Sequence, residues 1–274
     1  MKIGAFIPQG WRMDLNGIPL EDQWDTIIST ANAIEDLNYT SVWVYDHFHT
    51  VPIPTQDPTY ECWSLMAALS QSTSKLRLGQ MCTCNSYRNP SYLTKVASNI
   101  DVMSGGRLEY AIGAGWYDQE YKAYGYDYPT AGIRLKMLEE SLIIYKLMTT
   151  EETPSFNGTY YQIDGAINQP KPIQKPYPPL WVCGGGEKVT LKLLAKYGDY
   201  GNWDVDVDGF SYTNNNQVDS TTGSPMWDGY VTPVGLQLQY VVGGIGSFDT
   251  EPYDSDNTQD NPDYIMMQRG AADN

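Results

Sequence analysis

Residues 101–129 read DVMSGGRLEYAIGAGWYDQEYKAYGYDYP. A Ser-Gly-Gly-Arg turn closes a helix-period segment and opens an apolar run of strand length, Arg107–Gly113. The run exits through Gly113-Ala114-Gly115 into an aromatic and acidic stretch. Helix, turn, strand and glycine-rich exit are the parts of one unit of an alternating α/β fold.

The same alternation extends in both directions. Towards the N-terminus, strands are expected at about Lys2–Pro8, Ser41–Tyr45 and Leu76–Thr83. The helices between them are expected near Leu20–Leu37 and Thr59–Ser72, and a third is opened by Pro90. The first should bury Trp24, Ile27, Ile28, Ala31, Ile34 and Leu37, and the third Leu93, Val96, Ala97, Ile100 and Met103. Towards the C-terminus the pattern predicts a helix over Ile133–Met148 and a small hairpin turning at Asn157-Gly158. A proline-rich connection, Pro170–Pro179, leads to a strand at Leu180–Cys183, a helix at Glu187–Tyr197 and a strand at Asp199–Trp203. Five or six such units predict parallel strands with right-handed crossovers. The turn after the first strand is Gln9-Gly10-Trp11-Arg12 and lacks the GxGxxG of a dinucleotide fold, which favours a (β/α) barrel over an open sheet.

Composition bounds the function. Hydrophobic residues at 41% allow a sizeable core, and a net charge of −16 argues against nucleic acid or an anionic membrane surface as partner. No apolar run approaches the length of a membrane span, and Met1-Lys2 leads straight into the first strand, so no leader and a cytoplasmic location are expected. Cys62, Cys82, Cys84 and Cys183 form no CxxC pair and are expected as reduced, mostly buried thiols.

Barrel enzymes place chemistry at the C-terminal ends of their strands. Those ends are Gln9-Gly10-Trp11, Asp46-His47-Phe48-His49, Cys82-Thr83-Cys84-Asn85, Gly113-Ala114-Gly115-Trp116 and Gly184-Gly185-Gly186. His47 and His49 are the only histidines. An imidazole there can exchange protons near neutral pH, with Asp46 able to set its tautomer; the alternative is an ordinary loop hydrogen bond. Two histidines at i, i+2 beside Asp46 make a weak metal pattern, and no metal site is expected. Gly184–Gly186 opens a helix directly after a strand, where backbone N–H groups can hold a phosphate, although such turns also serve as plain connections.

The order of these motifs resembles the luciferase-like monooxygenase superfamily, and most closely its deazaflavin (coenzyme F420)-dependent oxidoreductase branch. The matching stretches are MKIGAFIPQG, YTSVWVYDHFHT, LRLGQMCTCNSYRNP, the 101–129 segment and PPLWVCGGGEKVTLKLLAKYGDY, covering about residues 1–204. The resemblance implies a TIM barrel with coenzyme F420, or alternatively FMN, at its mouth and a small organic molecule as substrate. It places Asp46 and His47 near the reactive ring, with His47 as proton donor or acceptor. Met81, Cys82 and Thr83 would form a bulge on strand three that in this family often holds a non-proline cis peptide. Gly184, Gly185 and Gly186 would take the cofactor phosphate, and Gln119 would also touch the cofactor. Trp11, Trp116, Tyr117 and Glu120 would border cofactor or substrate; core packing is the competing role for Trp116 and Tyr117. In some deazaflavin dehydrogenases a carboxylate stands where this chain has Trp116. The implied activity is hydride transfer between deazaflavin or flavin and substrate. An FMN-dependent monooxygenase and a non-catalytic cofactor-binding remnant are the alternatives.

The resemblance stops near residue 204. Residues 197–274 hold 13 acidic side chains and a single basic one, Arg269. A barrel domain over 1–204 and a divergent acidic segment over 205–274, irregular or β-like, are therefore expected. One strand-like stretch, Gly229–Val242, is visible there, and no amphipathic helix of barrel length. Asp204–Gly209 matches only half of a DxDxDG calcium loop, with Asn215 where the bidentate glutamate should stand. The barrel should depart from the ideal after about Trp203, and an exposed strand edge would favour a homodimer.

Overall fold

The computed structural model describes residues 2–51, 53–184, 186, 188–204, 236–243 and 264–269. Gly185, Glu187, the DxDxDG repeat after Asp204, the asparagine-rich 211–224 stretch and the acidic 247–263 stretch lie outside the described residues.

The elements follow the predicted alternation. They are β1 (Lys2–Phe6), α1 (Leu20–Asp36), β2 (Ser41–Val44), α2 (Cys62–Ser72), β3 (Arg77–Gln80), β4 (Thr83–Cys84), α3 (Pro90–Met103) and β5 (Leu108–Gly113). Next come α4 (Asp118–Ala123), α5 (Ala131–Thr150), β6 (Phe156–Asn157), β7 (Gln162–Ile163), β8 (Leu180–Cys183), α6 (Thr190–Tyr197), β9 (Tyr200–Asp204), β10 (Leu236–Gly243) and β11 (Tyr264–Arg269). The expected third strand is broken in two: a cis peptide joins Met81 to Cys82 between β3 and β4. Helix α2 begins three residues later than predicted. Glu61 caps it, its carboxylate accepting from the N–H groups of Trp63 (3.1 Å) and Ser64 (2.7 Å).

Strand pairing runs β1–β2–β3–β5–β8–β9–β10–β11 and returns from β11 to β1, a closed ring of eight. Neighbours are parallel except at β10, which is antiparallel to both β9 and β11. The ring is thus an irregular barrel after its sixth strand, as the loss of pattern near residue 204 predicts. No helix follows α6 among the described residues. β9 is paired on both sides, so the open edge that motivated the expectation of self-association is absent among the described strands.

Residues alternate between the two faces of the wall. Leu78, Val42, Val44, Leu108 and Val182 pack outward against Ile27, Ala31, Leu65, Leu69, Leu93, Ala97, Leu138 and Leu142 of the helices. Trp24 (36% exposed), Leu37 (70%) and Met103 (46%) do not join this core, contrary to the helical-face reading. On α1 the turn beside Trp24 is anchored instead by buried Gln23, whose amide donates to the Ile18 carbonyl. Leu37 lies past the last helical residue, at the C-cap.

The inward face is filled by Trp43 and Trp181, edge to face at 5.0 Å, with Tyr200 against Trp181 at 4.8 Å. Gly79 makes this possible: a Cβ there would lie 2.3 Å from the Trp43 ring. Below them, buried Glu109 accepts from Trp181 Nε1 (2.6 Å) and pairs with Arg77. Burial pushes the Glu109 carboxyl pKa up, against the attraction of Arg77. Aromatic side chains and one ion pair therefore plug the barrel, leaving its C-terminal mouth as the place for a ligand.

Candidate active site at the barrel mouth

The β1 and β2 exits are stapled together before any functional group is placed. Gln9 is buried, its amide nitrogen donating to the carbonyls of Tyr45 and Tyr60 (both 2.7 Å) while its oxygen accepts from the Tyr45 N–H (2.7 Å). The loops that follow are thereby held side by side. The Trp11 indole stacks on the His47 imidazole, centroids 4.3 Å apart and 2° from parallel. From the β5 exit, Trp116 and Tyr117 each meet His47 edge-on at 5.8 Å. His49 lies 5.4 Å from Tyr117.

The β5 exit needs glycine. Gly115 has φ +78°, and a Cβ there would lie 2.0 Å from the Tyr121 hydroxyl. Tyr128 donates to the Trp116 carbonyl (2.7 Å) and Arg134 to that of Gly115 (3.2 Å), fixing the loop that leads into α4.

Behind His47 stands Glu120, fully buried on α4. Its Oε2 lies 2.8 Å from His47 Nδ1 and accepts from the Tyr87 hydroxyl at 2.9 Å. Its Oε1 accepts from the Phe48 N–H (2.8 Å) and more weakly from that of His49 (3.4 Å). Burial pushes the Glu120 carboxyl pKa up, but His47, the Phe48 N–H and Tyr87 outweigh it and hold the carboxyl below its ordinary range. A charged carboxylate on Nδ1 fixes the ring and its tautomer and leaves Nε2 as the nitrogen for chemistry.

Two sequence expectations change here. Glu120 was expected to border cofactor or substrate, but it lies beneath His47, out of solvent. Asp46 was expected beside the reactive ring as the partner of His47. It is instead buried in a bidentate pair with Arg88 (2.6 and 2.8 Å) and also accepts from the Cys84 N–H (2.8 Å). Both Asp46 oxygens are committed, so its work is to lock the β2 and β4 exits together. Arg88 also reaches Glu61 at 2.6 Å. Asp46, Glu61 and Cys62 are close enough to hold an ion, but the Arg88 guanidinium is bonded to both carboxylates there. Arg88 escaped the sequence reading because its partner is 42 residues away.

The remaining candidates line the same rim. Met81 and Cys82 carry the cis peptide, and Met81 is 3.8 Å from Cys183 (sulfur to sulfur). Thr83 is fully buried, its hydroxyl 3.4 Å from the Gln80 oxygen. Gln119 is exposed and accepts from the Tyr117 hydroxyl (3.1 Å). Gly184 has φ +118° and, with Gly186, leads into α6, while Gly185 lies outside the described residues. Burial raises the Cys84 thiol to about 12, so it stays protonated.

The buried polar atoms on this rim with no hydrogen-bond partner among the described residues include the Trp11 Nε1 donor and the Asn202 Oδ1 acceptor of β9. Asn202 is in register with Cys183, which is in register with Gly113. An orphaned donor, an orphaned acceptor and an aromatic wall fit a flat heterocycle that carries N–H and C=O groups, such as a flavin or deazaflavin ring.

A family model described as luciferase-like monooxygenase matches residues 1–200. The chain is 26% identical over 177 residues to an F420-dependent glucose-6-phosphate dehydrogenase of Amycolatopsis mediterranei (strain U-32), covering 63% of this chain and 51% of that protein. It is 24% identical over 187 residues to an FMNH(2)-dependent dimethylsulfone monooxygenase of Pseudomonas putida, covering 66% and 48%. The chain thus spans about half the length of these two relatives. Among solved structures, an F420-dependent secondary alcohol dehydrogenase in complex with an F420-acetone adduct superposes with a TM-score of 0.62 at 27% identity, covering 73% of this chain and 57% of that one.

Proposed function

The chain belongs to the luciferase-like monooxygenase family, and on that footing we propose that it is an oxidoreductase moving a hydride between a deazaflavin or flavin and a small organic substrate. The observation that carries this reading is the His47–Glu120 pair. The imidazole is one-tenth exposed at the mouth, and a fully buried carboxylate orients it at 2.8 Å.

When bound, the deazaflavin or flavin supplies the two-electron acceptor or donor. The chain does the rest. Trp11 and the edges of Trp116 and Tyr117 form an apolar wall that excludes water. Trp11 Nε1 and Asn202 Oδ1 would bond the polar edge of the ring, and Gly184–Gly186 the phosphate. As an alcohol is oxidised, its carbon loses a hydride and its oxygen a proton. His47 Nε2 takes that proton, while Glu120 stabilises the imidazolium through Nδ1. In the reverse direction His47 returns it.

An oxygen-using FMN enzyme is the second reading. It is favoured by Trp116, a neutral, partly exposed indole 5.8 Å from His47 where some deazaflavin dehydrogenases carry a carboxylate. Titration of the full chain with F420 and with FMN, followed by fluorescence, separates the two. Tight F420 binding with anaerobic reduction by a secondary alcohol supports the dehydrogenase. FMN binding with oxygen consumption on reduction supports the oxygenase. A folded protein that binds neither cofactor overturns both.

A further inference from the structure

The loop after β1 holds a charged group that the hydride-transfer reading does not use. Arg12 follows Trp11, and its Cζ lies 4.7 Å from the Trp11 ring centroid. That same indole stacks on His47 at 4.3 Å. Arg12 is half-buried, and its Nε is buried with no hydrogen-bond partner and no ion pair among the described residues. Two neighbouring guanidiniums are committed: Arg88 to Asp46 and Glu61, and Arg134 to the carbonyls of Gly115 and Pro129. Asp14 faces Arg12 through space only. Its Oδ1 accepts from the N–H groups of Gly10 (2.6 Å) and Gln9 (3.3 Å), and burial raises its pKa despite Arg12.

We propose that Arg12 recognises an anionic oxygen group on the substrate, so that the substrate is a small alcohol or carbonyl compound bearing a carboxylate or phosphate. The proposal rests on the reading of His47 as the proton-exchanging group. A partly desolvated guanidinium without a partner is costly, and an anion restores charge-assisted hydrogen bonds in the fork geometry that arginine presents. The net charge of −16 repels anions at long range, so selection for one must come from a cation in contact with it. Arg12 and His47 both contact the Trp11 indole, which places the guanidinium within one side chain of the imidazole read as exchanging the proton.

The test uses benzoate and benzamide, which share a shape and differ in charge. Each is titrated into the full chain and followed by tryptophan fluorescence, with and without F420 or FMN. The wild type should bind benzoate about tenfold more tightly than benzamide. Arg12→Met should bring the two within about twofold and leave F420 and FMN affinity unchanged, and Arg12→Lys should retain part of the preference. A wild type that does not distinguish the probes overturns the proposal, as does an Arg12→Met variant that keeps the full preference. Loss of F420 or FMN affinity in Arg12→Met also overturns it, assigning Arg12 to the anionic tail of the cofactor. Should neither cofactor bind the wild type, the redox reading fails, while the benzoate preference of the protein alone still reports on Arg12.

Discussion

Replacing Glu120 by glutamine keeps its shape and removes its charge. Four donors converge on the wild-type carboxylate: His47 Nδ1, the Tyr87 hydroxyl and the N–H groups of Phe48 and His49. The amide offers one acceptor oxygen, and its NH₂ faces groups that are themselves donors. With hydrogen bonds to a charged group contributing about 1.5–3 kcal/mol each, losing two and gaining one unfavourable contact should cost about 3 kcal/mol. For a chain of this size that lowers Tm by roughly 6–12 °C. The pH dependence carries a sign. The folded Glu120 pKa is depressed, so its stabilisation is present above the unfolded carboxyl pKa and lost as pH falls through the folded one. Urea unfolding followed by tryptophan fluorescence between pH 3 and 7 should show the wild type losing stability on acidification, with Glu120→Gln losing less over the same window. Turnover should fall by about 10²–10³-fold, because nothing then holds the His47 tautomer. Glu120→Gln with wild-type stability and wild-type turnover would refute the argument that this carboxylate orients the imidazole.

Three further outcomes follow. His47→Asn should lower kcat by about 10²–10⁴-fold with little change in cofactor affinity, checked by steady-state kinetics beside a binding titration. Gly79→Ala places a methyl 2.3 Å from the Trp43 ring and should destabilise the barrel by about 1–3 kcal/mol or more in chemical denaturation. Glu35 is tempered by burial but held down to about 2 by the N–H groups of Lys75, Leu76 and Ser74. Its stabilisation is complete above about pH 4.5 and lost as pH falls towards 2; with solvent screening, Glu35→Gln should cost about 1 kcal/mol at pH 7 and little near pH 2 in the same assay.

Much of this architecture was legible because parallel barrel strands write themselves as short apolar runs with functional residues at their exits. Trp11, His47 and Trp116 stand at the strand ends and Tyr117 came through the family resemblance, and they meet around one imidazole. The partner of His47 was not legible. Asp46 adjoins it in sequence, but successive residues on an extended chain point to opposite sides, so the distant Glu120 reaches the ring and the neighbour does not. The break in strand three was anticipated only through the family resemblance, since Met81 and Cys82 carry no local turn signal. Strand β11, YIMMQR, was missed because it follows a polar, acidic stretch that reads as loop. The reversed direction of β10 could not be read, because alternation of side chains is the same whichever way a strand runs.

The reversal of β10 changes what the last strand delivers. Because β10 descends from the mouth, β11 must climb back parallel to β1, and the register sets Leu236 opposite Arg269 at the rim. Arg269 is the only lysine or arginine after Lys196. The route that closes the ring therefore also brings position 269 to the end of the wall from which the candidate-site loops leave, next to the strand whose loop carries Trp11. Cutting the chain before Tyr264 would open the wall and remove Arg269 in one stroke. Arg269→Gln would change the charge alone, so comparing the two variants separates what the final strand does as masonry from what it does as a counter-charge.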